Sequence, residues 1–275
     1  MTVAQKVIKY IAIAFAIFLI ASIIYGIFSF IYELGFAFGP SNDNISEEMS
    51  TFNVYKEAVS KLDINVGATN FTIKQGEEFK VETNNKNIII EQTNEELRIK
   101  EKNTKWHFNR KLESELVIYI PETFEFSTVK MEMGAGKIEI DGLTANNLKL
   151  QLGAGKTDIN NLFVKNIAEI DGGAGEVQIK SSKLNNLDFD LGVGEVKLEA
   201  EITGKSDIDA GVGSLNINLL GEKDSYKLHI NKGVGSVLID GNSVKDDTYY
   251  GEGDSFIDID GGVGEIKVKF ANYVN

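Results

Sequence analysis

The stretch Leu187-Asp-Phe-Asp-Leu-Gly-Val-Gly-Glu-Val-Lys-Leu198 holds two β-strands and the bend between them. Leu187, Phe189, Leu191 and Val193 are apolar at period two; Val196, Leu198 and Ala200 are apolar at period two on the opposite parity. Side chains of a strand alternate between its two faces. A shift of parity therefore places an extra residue at Gly194-Glu195, a bulge or corner where glycine removes the steric cost of an unusual backbone. On this reading the middle residue of Gly-Val-Gly points into the core.

The same tripeptide, Gly-Ala/Val-Gly, begins at Gly134, Gly153, Gly173, Gly192, Gly211, Gly233 and Gly262, at intervals of 19, 20, 19, 19, 22 and 29. The inward set is then Ala135, Ala154, Ala174, Val193, Val212, Val234 and Val263. The flanks repeat as well, for Phe256 to Val268 follows the pattern of Leu187 to Leu198. A decayed copy starts at Val66-Gly-Ala-Thr. One unit of strand, corner, strand and turn buries too few side chains to offset the entropy of ordering it, so units must stack and share strand hydrogen bonds. Such repeats predict an all-β chain with a parallel β-solenoid of 19–20-residue coils, each adding about 4.8 Å.

Outward from the repeat, residues 134–275 form the Gly-x-Gly solenoid and residues 51–133 an N-terminal β region or cap of it, with alternation at Leu62–Val66, Leu97–Lys100 and Leu116–Ile120. Lys267 and Lys269, on one face of the last strand in the chain, are read as guards against edge pairing. Residues 33–50, rich in Gly, Ser, Asn and acids, form a juxtamembrane linker. Tyr10 to Tyr32 carries no charge over 23 residues. As a helix it spans about 35 Å, enough for a hydrocarbon core of about 30 Å. Lys6 and Lys9 precede it and Glu33, Asp43, Glu47 and Glu48 follow. Residues 10–32 are therefore expected to be a transmembrane helix, with residues 1–9 a cytoplasmic tail and the β region extracytoplasmic. A cleaved signal peptide is the competing reading; its apolar region is shorter, and here the only small-residue site is followed by Pro40.

With 28 Lys and Arg against 41 Asp and Glu, the chain carries −13. That charge argues against a nucleic-acid partner, whose phosphates call for basic patches. No cysteine and only two histidines exclude thiol chemistry and Cys-zinc sites. Gly153-Ala-Gly-Lys-Thr157 lacks the earlier glycine of a phosphate-binding loop. Gly172-Gly-Ala-Gly175 lacks the nine-residue period and the aspartate of a calcium roll. The chain is read as no enzyme, with no cofactor and no metal. The column after the corner (Lys137, Lys156, Glu176, Glu195, Ser214, Ser236, Glu265) is read as a solvated face, with Glu176 and Glu195 mildly repulsive neighbours.

Val117-Ile-Tyr-Ile-Pro-Glu122 followed by Val129-Lys-Met-Glu-Met-Gly-Ala-Gly-Lys-Ile-Glu-Ile140 resembles the bacterial β-strand-repeat proteins known as "putative adhesin" or toastrack domains. The likeness covers roughly residues 50–272 and includes a Gly-rich loop before the last unit, Tyr250-Gly-Glu-Gly-Asp254. It implies an envelope-facing domain, with relatives that accompany envelope-stress systems, and offers no catalytic residues.

Two features are not absorbed by the repeat. The segment Gly241–Asp254 makes the last interval about ten residues too long and holds Asp246, Asp247, Tyr249 and Tyr250. Lys102 to Lys111 carries four positive charges, at Lys102, Lys105, Arg110 and Lys111, beside Trp106 and Phe108. These ten residues are the candidate surface contacts. The expected function is a membrane-anchored adhesion or envelope-contact surface, with an accessory sensor or regulator of an envelope-stress complex as the alternative and a polysaccharide-acting enzyme as a remote one. The expected partners are the membrane, anionic envelope polymer or lipid head groups, and a membrane protein.

Overall fold

The computed structural model describes residues 45–102 and 113–271. The transmembrane helix expected at 10–32 and its cytoplasmic tail lie outside the described residues. The segment read as a linker to Ser50 is already strand from Ile45, in Ile45–Asn53, which pairs antiparallel with Lys80–Asn85. Its outer position explains why it was unreadable: its side chains are mostly exposed, so no apolar alternation marks it.

The body is a stack of parallel rungs. Ala135–Gln151 and Ala154–Asp171 each run through a full coil and pair in register along most of their length, Ala135 on Ala154 and Gln151 on Asp171. Ala174–Asn185 with Leu187–Asp190, and Val193–Thr203 with Lys205–Asp209, repeat the course. Bends other than the glycine corner use left-handed residues, among them Asn161, Ser181 and Asn186. Inward side chains form one core, in which Phe189, Leu198 and Ile202 are all fully buried. Two buried serines of the repeat are satisfied: Ser182 Oγ accepts from the Leu162 N–H at 3.2 Å and Ser206 Oγ from the Leu187 N–H at 3.0 Å.

The glycine corners stack on one another. From Ala154 onward the N–H of the middle residue donates to the carbonyl of the first glycine in the neighbouring rung, as Val193 does to Gly173 at 3.0 Å and Val212 to Gly192 at 3.0 Å. A Cβ at Gly192 would lie 2.0 Å from the Gly173 oxygen. At Gly194, with φ +146, it would lie 1.8 Å from the Gly175 oxygen. Both glycines are thus dictated by close stacking of backbone, and the second also by its dihedral. The middle residues do not enter the core, contrary to the parity reading: Val193 is 41% exposed and Val234 42%, whereas Val196 is buried. At both glycines the Cβ direction runs along the stack, so neither follows in–out alternation, and the side chain between them belongs to neither strand's inward set.

Rungs do not follow chain order. Val263–Phe270 pairs with Val212–Leu219 on one side and with Val234–Ile239 on the other. Ser255–Asp260 likewise lies between Lys205–Asp209 and Tyr226–Asn231. The last unit in sequence therefore fills the place before the last one in space. Lys267 and Lys269 guard no edge: their strand is interior, and alternation alone cannot report its neighbours. The other end has the same arrangement. Lys61–Val66 lies between Glu125–Met133 and Glu96–Glu101, and Asn70–Gln75 between Ala135–Gln151 and Glu115–Ile120. Residues 61–102 and 113–133 thus stack onto the repeat, and the Gly67-Ala-Thr69 corner sits on Gly134.

Each end rung is covered by antiparallel strands. At one end Lys80–Asn85 lies on Glu115–Ile120 and Ile88–Gln92 on Glu96–Glu101. At the other, Asn242–Ser243 lies on Val234–Ile239 and Thr248–Tyr250 on Tyr226–Asn231. Terminal edges of a solenoid invite pairing with other chains, and a short covering strand blunts them.

Candidate functional site: two carboxylate columns

Four rungs carry acid-apolar-acid before the corner: Glu169-Ile-Asp171, Asp188-Phe-Asp190, Asp207-Ile-Asp209 and Asp258-Ile-Asp260. In a strand the two acids of each trio share the outer face. Parallel register sets Glu169, Asp188, Asp207 and Asp258 in one column and Asp171, Asp190, Asp209 and Asp260 in the next. The result is eight carboxylates on one face, with neighbours in a column about 4.8 Å apart at the backbone.

Side-chain donors close the columns at both ends. Lys149 ion-pairs with Glu169, and His229 Nδ1 meets Asp258 at 2.8 Å. Gln151 Nε2 donates to Asp171 at 2.9 Å and Asn231 Nδ2 to Asp260 at 2.6 Å. Among the described residues, no Lys, Arg, His, Asn or Gln side chain donates to Asp188, Asp190, Asp207 or Asp209 in the middle of the columns. Burial, then Asp190 and Asp207, raise the Asp188 pKa above the ordinary carboxylate value. Burial, then Asp258 and Asp260, raise that of Asp207; burial, then Asp207 and Asp190, raise that of Asp209. Among the described residues no three acids or histidines converge closely enough to hold a metal ion.

A folded-state carboxyl pKa above its unfolded value means that the fold binds the proton more tightly. The charged columns thus oppose folding above the raised values, and stability grows as pH falls through them toward the ordinary value of about 3.9. Asp207→Asn should therefore raise stability at pH 7 by about 0.5 kcal/mol at low salt, less at 0.5 M salt, as expected for partly exposed charges. Urea unfolding at two salt concentrations checks this; a loss of stability would mean that the column is held by something besides the named donors.

The column after the corner is a different surface. Glu176 and Glu195 are register partners, as expected. Lys197 lies 3.1 Å from Glu195 and 3.8 Å from Glu176, and Lys156 lies 3.5 Å from Glu176, so cations offset the expected repulsion. An apolar trough of about 660 Å³, counting space open to solvent, follows the corner column and is lined by the glycines and middle residues. Its bare floor follows from the glycines that stacking requires.

Of the surface contacts expected from sequence, Lys105, Trp106, Phe108, Arg110 and Lys111 lie outside the described residues. Lys102 is exposed, and its N–H donates to the Asn87 carbonyl at 2.8 Å. The four in the insertion make cap contacts. Asp246 accepts the Lys232 N–H at 2.8 Å, and Asp247 meets His229 Nε2 at 3.0 Å. Tyr249 stacks on His229 with centroids 4.3 Å apart, and Tyr250 on Phe270 at 5.7 Å, with Lys223 Nζ 5.2 Å from the Tyr250 centroid. The insertion thus covers the terminal edge. The carboxylate columns were missed as a site, although the acid-x-acid-x-Gly phasing was there to be read.

The sequence model of the Toastrack DUF4097 family matches residues 59–261. Among solved structures, a "putative cell adhesion protein" of Clostridium sporogenes is 22% identical, with 82% of this chain and 99% of that one covered and a TM-score of 0.39. A "putative adhesin" of Bacteroides fragilis is 13% identical, covering 81% and 98%, with a TM-score of 0.30. One of Parabacteroides merdae is 16% identical, covering 84% and 98%, with a TM-score of 0.34. No curated protein matches the chain.

Proposed function

The chain belongs to the Toastrack DUF4097 family, and from that footing we propose that it is a non-enzymatic, membrane-anchored protein that presents its β-solenoid outside the cytoplasmic membrane as a contact surface. The observation that carries this reading is the pair of carboxylate columns. Eight acids are held at fixed spacing by backbone register on one face, at an electrostatic cost that the fold itself does not need. A rigid, periodic display of one charge suits recognition of a cationic surface, where complementarity sets specificity and encounter rate. The uncharged run Tyr10–Tyr32, with Lys6 and Lys9 before it and acids after it, supports the anchor and its orientation. The basic stretch 102–111, also rich in aromatics, suits anionic head groups or envelope polymer near the membrane.

The chain contains no cysteine, so one introduced thiol reports topology cleanly. Asn242→Cys, on an exposed strand of the cap, should react in intact cells with a membrane-impermeant maleimide. Labelling that appears only after lysis would overturn the placement.

A further inference from the structure

The His229 ring, on the end rung Tyr226–Asn231, joins the columns to the cap. Its Nδ1 faces Asp258 on the interior strand at 2.8 Å and its Nε2 faces Asp247 in the insertion at 3.0 Å. The Tyr249 ring lies stacked on it. Its side chain is 14% exposed, against 77% for Asp247 and 34% for Asp258. We propose that His229 is a pH-operated latch that holds the 241–254 segment closed over the terminal edge of the stack.

The chemistry follows from the two nitrogens. An imidazolium has an N–H on each and can donate to both carboxylates. A neutral ring keeps one N–H, and its other nitrogen then sets a lone pair against a carboxylate. Asp258 is fixed in a strand paired on both sides. Asp247 is exposed and sits in a left-handed conformation, φ 54, which the contact helps to hold. Asp247 is therefore the partner that lets go. With it goes the hold on Thr248–Tyr250, the strand that covers Leu228, His229 and Ile230.

The groups around the ring favour the charged state. Asp258 comes from the strand beneath, with Asp260 on the same strand and Asp207 one rung further; Asp246 and Asp247 come from the insertion, and Lys227 is the cation on its own strand. The hydrogen bond to Asp247, and then the hydrogen bond and charge of Asp258, raise the His229 pKa above its ordinary value, with burial opposing. The sign is that of a base gaining partners in the fold: the stabilisation is complete below about 6.5 and is lost as pH rises through the raised value. The latch is shut in mildly acidic surroundings and opens on the alkaline side.

Hydrogen exchange of the full chain, corrected for intrinsic rates, tests this at pH 6 and pH 8.5. Protection of residues 246–251 should fall by about fivefold or more at the higher pH, while residues 187–198 in the middle of the stack stay unchanged. In Asp247→Ala, which leaves Nε2 without a partner in either state of the ring, the cap should exchange fast at both pH values. In His229→Gln the pH dependence should vanish; if that variant also loses protection at 187–198, Asp247→Ala alone decides. Equal cap protection at both pH values in the natural chain, or a pH dependence that survives in Asp247→Ala, would overturn the latch.

Discussion

Gly194→Val is expected to cost at least about 3 kcal/mol. Two independent penalties meet at this residue. Its φ of +146 is a region that L side chains rarely adopt, and holding a β-branched residue there costs on the order of 1–3 kcal/mol. The Cβ would also lie 1.8 Å from the Gly175 oxygen, and neither partner can retreat, because both belong to backbone bonded on either side. The rung must tilt or separate, which weakens the corner bonds that continue above and below it. Asp190→Asn, four residues away on the outer face, should be neutral or slightly stabilising, since it removes one charge from a crowded column. The midpoint of urea unfolding measures both. Similar shifts for the two variants would mean that the corner is not where the stack is most tightly constrained.

Ile259→Asp should be more damaging still, at about 4 kcal/mol or more. Ile259 is 1% exposed and pairs with Ile208 on one side and Ile230 on the other. A carboxylate there has no partner, and an unpaired buried charge belongs to the short list of changes that reach such values. Hydrogen exchange makes the prediction specific. Protection should fall in both Lys205–Asp209 and Tyr226–Asn231, because the strand lies between them. Loss on only one side would mean that the last unit in the chain is also the last in space.

Much of the architecture was legible because it rests on local rules. The Gly-x-Gly period announced stacked coils, and the alternation at Leu187 to Val196 located the bend. The fate of Val193 was not legible, since alternation assumes continuous strand geometry and both flanking glycines leave it. Neighbour order was not legible either. The interval of 29 betrays an insertion, but nothing local to Ile266–Phe270 tells whether one strand or two lie beside it; that depends on the path of Gly241–Asp254 over the edge. The carboxylate columns could have been read from the acid-x-acid pairs that end two residues before the corners at Gly173, Gly192, Gly211 and Gly262. A single acid-x-acid pair is an ordinary outward feature of a strand, and only register turns four of them into a surface.

The out-of-order rung bears on how the chain comes together in time. A solenoid whose coils follow one another in sequence can extend as it is made, each coil templating on the one just finished. Here the growing stack reaches Leu219 and must wait. Residues 226–239 emerge next, yet their strand partners arrive only with 255–270. Until then the open edge at Lys205–Leu219 can accept the wrong segment, including 226–239 itself, whose Gly-Val-Gly corner has the right form to sit directly on Gly211. Escape from that trap requires the misplaced coil to leave before Ser255–Phe270 can slot in, a slow rearrangement of a kind typical of long-range β pairing. The closing segment therefore acts as a keystone, and a chain interrupted shortly before it would be held in a plausible but mistaken order.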